Sequence, residues 1–197
     1  MLSLAEGVIV QTADRWPGED QWRNANVIAF YHDNPAWDVT KSKNLDAFLE
    51  RGGGLVFVHW SMNAYRDVDP LAQRLGRAWG PGSRFRYGRE DLQLQAHEIT
   101  AGLETLQIVD ESYWNLKGGF NDAKVLATSV EDGASQPQIW IRSQGQGRVF
   151  VRIPGHFSWT FDDPLYRVLL FRGFCWAGGQ PLDRLSELAT VGARVSE

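Results

Sequence analysis

Short apolar runs bounded by turn-forming residues recur along this chain, interrupted by one stretch of clear helical period. Residues 7–12 (GVIVQT) and 26–31 (NVIAFY) are β-branched and aromatic, the pattern of strands buried in a parallel sheet. From Thr40 the period changes. Leu45, Phe48 and Leu49 fall on one face, Lys41, Lys43, Asp46 and Glu50 lie elsewhere, and Arg51-Gly52-Gly53-Gly54 closes the run, which predicts an amphipathic helix with a glycine stop. Residues 55–58 (LVFV) are wholly apolar and lead into His59-Trp60-Ser61, completing a strand–helix–strand unit of the right-handed crossover type.

A short helix is predicted within residues 67–79, and Gly80-Pro81-Gly82-Ser83 breaks the chain after it. Residues 85–95 show no clear period and receive no assignment. Further strands are predicted at 106–110, 124–128, 138–142 and 148–153, with 144–147 (QGQG) as a hairpin loop between the last two. Asp163-Pro164 opens a closing helix through Trp176, with proline at the favoured first turn and Gly178-Gly179 at the end. Parallel units early and a hairpin late make a mixed α/β sheet. With no linker or repeat, residues 1–197 are read as one domain.

Composition narrows the classes. Hydrophobic residues make up 43% and charged residues 22%, which is ordinary globular usage and excludes a disordered chain. Twenty basic residues against twenty-four acidic ones give a net charge of −4 without a basic run, so nucleic acid is not an expected partner. No apolar run approaches the roughly 18 to 20 residues that span a bilayer, and the opening Met1-Leu2-Ser3-Leu4-Ala5-Glu6 lacks a basic segment and an apolar core; no membrane partner and a cytoplasmic location are expected. A single cysteine, Cys175, rules out a disulfide framework and a multi-cysteine zinc site. Nine tryptophans imply an aromatic core or platforms on which a flat ligand stacks.

Several segments carry a resemblance: residues 52–59 (GGGLVFVH), 97–103 (HEITAGL), 110–113 (DESY), 147–150 (GRVF) through Pro154-Gly155-His156, and the tail from 161–164 (FDDP) to 172–177 (RGFCWA). Together they are similar to the ThuA-like, trehalose-utilisation family, from about Gly7 onward. The resemblance implies a flavodoxin-like, doubly wound mixed sheet of the class I glutamine amidotransferase type. It also implies a role in metabolism of trehalose or related disaccharides and keto-sugars, with a small-molecule carbohydrate as ligand. In the amidotransferases the strand like 55–58 leads into a cysteine nucleophile, and a histidine placed like His156 serves as its base. Here His59 or Trp60 stands in the cysteine's place, and Cys175 lies in an apolar helix, so amidotransferase activity is not expected. Relatives usually begin with an additional strand, a histidine-bearing loop and a helix. This chain lacks that unit, which predicts a missing central strand and exposed edges for another segment or a second copy of the chain, a homo-oligomer, to cover.

The candidate chemistry lies in the histidines. His32, His59 and His156 each fall just beyond the carboxyl end of a predicted strand, where open α/β sheets bind ligands. His97 is read as shaping a turn. Asp110 and Glu111 are adjacent at a predicted loop entrance, and neighbours on an extended chain point to opposite sides, so one of the two is expected to face a pocket. His59, His156 and Glu111 are the candidate catalytic set, able to work as general acid and base on a sugar hydroxyl or a position beside a keto group. Trp60, Asn63, Asp110, Tyr113, Trp159 and His32 are the candidate substrate contacts, the aromatic ones offering ring faces to the apolar C–H surface of a sugar. No cofactor is called for. The same three groups could hold a divalent metal, although no H-x-x-x-H spacing supports one. Arg142, Arg148 and Arg152 alternate along predicted strands and are expected to face solvent. Two kinds of function fit: an acid/base enzyme of carbohydrate metabolism, or a non-catalytic sugar-binding or assembly module.

Overall fold

Asp38 starts the first long helix, its carboxylate accepting the Lys41 backbone N–H at 2.8 Å, and helix Val39–Glu50 then buries Leu45, Phe48 and Leu49 as its period requires. In the computed structural model, which describes residues 1–32, 36–65, 67–119 and 122–193, this helix is α2. The elements in chain order are α1 (Glu19–Asn24), β1 (Val27–Phe30), α2, β2 (Gly54–Val58), α3 (Val68–Leu75), β3 (Arg77–Ala78), β4 (Arg84–Leu94), β5 (Thr105–Trp114), β6 (Lys117–Gly118), β7 (Ala123–Glu131), β8 (Ala134–Gln144), β9 (Gly147–Arg152) and α4 (Pro164–Ala177).

Seven strands form one sheet in the order β1-β2-β9-β8-β7-β4-β5. The three strands at one end run parallel, and the rest pair antiparallel, β7 with β4 across an intervening β5 and β6 in the chain. Helices flank this mixed sheet, the architecture expected of a flavodoxin-like α/β fold. Because successive side chains of a strand face opposite ways, the apolar run of β2 feeds two cores at once. Leu55 and Phe57 join Phe30, Leu45, Phe48 and Trp140 on one face, while Val56 and Val58 join Phe150, Leu169 and Leu170 of the α4 side on the other. None of the helices among the described residues is long and apolar enough to cross a membrane.

Residues 7–12 are not a strand. Ile9 is 91% exposed, and none of these residues pairs with another strand of the described chain. The N-terminal segment instead lays Leu2, Ala5 and Val8 against Phe171, Cys175 and Leu188, so α4 contacts rather than sheet pairing hold it. The first strand of the sheet is β1, at its edge and paired directly with β2, Val27 opposite Gly54. Of the unassigned residues 85–95, all but Gln95 belong to β4, an eleven-residue strand.

Arg152 overturns its expected exposure. It is fully buried, its guanidinium 3.5 Å over the Tyr166 ring and its Nη1 donating to the Tyr166 carbonyl at 3.3 Å. Glu90 of β4 is buried too, and neither of its carboxylate oxygens meets a hydrogen-bond partner among the described residues. Burial, reinforced by Asp110 and Glu131, pushes its carboxyl up to about 8. A carboxyl whose folded value lies above its unfolded one stabilises the fold at low pH, and that contribution is lost as pH rises towards the folded value. Unfolding free energy should therefore fall between pH 5 and pH 8, with this one group contributing up to about 1.4 kcal/mol per pH unit. Glu90→Gln should flatten the slope measured by urea unfolding across that range, and equal slopes in both proteins would show that Glu90 ionises freely in the fold.

Candidate functional site

β2 ends at a bend that side chains rarely tolerate. His59 opens the single turn His59–Met62 with φ of 55°, left-handed backbone that costs a non-glycine residue on the order of 1 kcal/mol. Such strand-to-turn elbows present a side chain at the carboxyl edge of a sheet, and here it is His59, not Trp60, that occupies the strained position. The imidazole is buried and fixed: Nδ1 lies 3.1 Å from the Ile153 carbonyl, and the Tyr113 hydroxyl is 3.2 Å from both ring nitrogens.

His156 arrives from the parallel neighbour β9 by way of Gly155. That glycine has φ of 146°, and a Cβ on it would sit 2.9 Å from Val58 Cγ1, so the chain turns here only without a side chain. The Tyr31 hydroxyl donates to the Gly155 carbonyl at 2.6 Å and the Tyr166 hydroxyl to the Pro154 carbonyl at 2.9 Å, locking the approach.

The carboxylates come from β5, where residues 110–113 lie inside the strand and not in a loop after it. Alternation sends them to opposite faces, as the sequence predicts. Asp110 accepts backbone N–H bonds from Glu111 at 2.7 Å and from His156 at 2.9 Å, and its other oxygen takes the Thr160 hydroxyl; it therefore positions the backbone of both partners. Glu111 turns to the other face, its Oε2 lying 2.8 Å from His156 Nδ1 and 3.5 Å from His59 Nε2. The two ring nitrogens are 3.0 Å apart. Three donor atoms, two from the ends of the parallel strands β2 and β9 and one from within β5, thus converge, all within 4.8 Å of one another.

The protons of this cluster can be assigned. A carbonyl only accepts, so His59 Nδ1 carries the hydrogen facing Ile153, and Nε2 points a lone pair at Glu111 and His156. Burial, first, and the His156 charge hold His59 down to about 4, against the pull of the Ile153 bond and Asp110. It is neutral at physiological pH. Burial pushes Glu111 up to about 7, with Asp110 adding to the shift, so this carboxyl is poised to exchange a proton near neutrality.

Around the cluster runs a wall of rings. Tyr87 of β4 stands directly opposite Glu111 and Phe85 opposite Tyr113, so all four share one face of the β4–β5 ladder. Phe85 is 49% exposed and Tyr87 and Trp159 are each 53% exposed. Tyr87 lies 5.1 Å from the His156 ring and 5.7 Å from Phe157, which stacks on Trp159 at 4.2 Å and 11°. Trp60 and Trp79 pack on Tyr113 behind the wall, at 6.0 Å and 4.7 Å.

Of the residues singled out by sequence, His59, His156, Glu111 and Tyr113 meet in the cluster, Asp110 braces it from behind, and Trp60 and Trp159 border it. His32 is not among the clustered groups; it is exposed with its ring edge-on to Phe30 at 5.7 Å. Asn63 is buried and accepts the Tyr65 N–H at 2.9 Å, a turn contact rather than a wall position. Phe85, Tyr87 and Trp79 escaped the sequence reading, although Phe85 and Tyr87 at i and i+2 carry the strand period that could have marked them.

A family model described as trehalose utilisation, ThuA, matches residues 2–177. Among solved structures, a ThuA-like protein from Parabacteroides merdae ATCC 43184 superimposes with a TM-score of 0.67 at 21% identity, over 79% of this chain and 71% of that one. A second ThuA-like protein, from Bacteroides uniformis ATCC 8492, gives 0.62 at 19% identity over 80% and 71%. The β-galactosidase of Rahnella sp. R3 contains a similar fold, with a TM-score of 0.52 at 13% identity, over 79% of this chain and 22% of that enzyme. At such identities these likenesses speak for the fold alone. No curated protein sequence matches this chain.

Proposed function

The chain belongs to the ThuA, trehalose-utilisation family, and on that premise we propose that it is an enzyme of disaccharide metabolism, moving a proton on a sugar or keto-sugar at the His59–Glu111–His156 cluster. The observation that carries this reading is the convergence of a neutral imidazole lone pair, a second imidazole and a carboxyl raised to about 7 on one small space, beside exposed rings. Groups of that kind exchange protons with a substrate near neutral pH. Cys175 takes no part: it is buried against Leu185 and Leu188, and burial raises its thiol, the opposite of an activated thiolate.

The sugar's apolar C–H face would lie on Tyr87, with Phe157 and Trp159 extending the platform to a second ring, and His156 at the edge nearest the reacting carbon. The test is to incubate the protein in D2O with trehalose, related disaccharides and their keto derivatives and follow product and deuterium incorporation by NMR. Turnover, or exchange at the carbon beside a keto group, is expected with at least one sugar. Tyr87→Ala should then raise KM about tenfold, near 1.4 kcal/mol, while kcat changes less. Saturable binding without conversion or exchange of any sugar would overturn the enzyme and leave a sugar-binding module.

A further inference from the structure

We infer that the His59–Glu111–His156 cluster is a binding site for one divalent transition-metal ion. The inference deepens the proposed function and rests on the cluster being the reaction centre.

Donor type comes first. Two imidazole nitrogens and one carboxylate oxygen form the set that suits zinc, iron, cobalt or manganese, and they are brought together by the ends of β2 and β9 and by β5, with His156 on the exposed side next to Tyr87. Spacing comes next. The three donor atoms are 2.8, 3.0 and 3.5 Å apart. Bonds of about 2.0 to 2.2 Å place neighbouring ligands roughly 2.9 to 3.5 Å from one another, depending on octahedral or tetrahedral geometry. A point about 1 Å out of the plane of this triangle lies roughly 2.1 Å from all three corners, the bond length such ions take.

The outer contacts agree. His59 donates its other N–H to the Ile153 carbonyl, which fixes the tautomer that leaves Nε2 free to ligate. Asp110 holds the backbone of Glu111 and His156 in register from behind. Lone pairs directed at a shared space need a cation between them, and one proton on His156 Nδ1 can face only one of its two neighbours well, whereas a metal ion satisfies all three. With an ion bound, His59, His156 and Glu111 would be its ligands, and the ion would supply electrophilic polarisation of a sugar oxygen.

The experiment is to dialyse the protein against a chelator, remove it, and titrate Co2+ and Zn2+ by calorimetry and visible absorption. One ion per chain is expected, with cobalt bands of a mixed nitrogen–oxygen site. Affinity should fall at least a hundredfold in His156→Ala, whose ring is exposed enough to leave folding intact, and in Glu111→Gln; circular dichroism without metal verifies the fold of each. Absence of binding, or binding unchanged by both substitutions, overturns the ion. Sugar turnover at full rate in the stripped protein also overturns it while leaving the reaction centre standing. Cluster-dependent binding without turnover of any sugar upholds the ion and sinks the enzyme.

Discussion

Replacing His59 by glycine or alanine should cut turnover by roughly 10² to 10⁴, the range a positioned acid or base supplies, and glycine should be the more stable of the two. Both variants remove the imidazole from the Ile153 carbonyl and from Glu111 alike, so the loss of packing is shared. They differ in backbone. At φ of 55° alanine retains the left-handed strain of His59 and glycine does not, so His59→Gly should exceed His59→Ala by about 1 kcal/mol, the reverse of the usual order. Chemical unfolding measures the difference. More than a tenth of wild-type turnover in either variant would remove His59 from the reaction centre, and alanine proving the more stable would deny the strain.

Trp140→Ala is expected to give the largest loss of stability, about 3 to 5 kcal/mol. The indole is completely buried in the core beneath β8, and its N–H donates to the Leu75 carbonyl at 2.6 Å, tying the end of α3 to the sheet. Truncation would leave both a cavity and a buried carbonyl without that donor. Trp140→Phe keeps most of the apolar area and should cost less, so the gap between the two variants in urea midpoint separates volume from hydrogen bond. Losses of equal size would show that the hydrogen bond dominates.

How much of this could be read from the chain follows from what each segment buries. The β2 strand was legible because both its faces enter apolar cores, giving an uninterrupted Leu55–Val58 run whose end had to carry His59 to the sheet edge. Helices α2 and α4 announced themselves by period and caps, with Asp163 accepting the Tyr166 N–H at 2.8 Å where Pro164 opens α4. β4 was not legible. In its first half one face carries Arg86, Gly88 and Glu90 towards the buried side and the other carries exposed Phe85 and Tyr87, so the usual apolar-in, polar-out alternation is inverted there and returns only with buried Leu92 between exposed Asp91 and Gln93. Residues 7–12 failed in the opposite sense: their β-branched composition has no strand partner, and composition alone cannot form a ladder. The cluster itself was only half visible, since strand ends predict that His59 and His156 share an edge, whereas the facing of Glu111 depends on the β4–β5 register.

That register has an evolutionary consequence. β5 places one acid behind the site and its neighbour in front, and it pairs with β4 through ten successive residues. A single inserted or deleted residue ahead of Asp110 would exchange the two faces, turning Asp110 to the side of the imidazoles and Glu111 to the side of the brace. Substitution can proceed freely at exposed Gln107 and Val109, but a change of strand length cannot. Descendants of this chain should therefore diverge along β5 by point replacement, with insertions and deletions confined to the connections on either side.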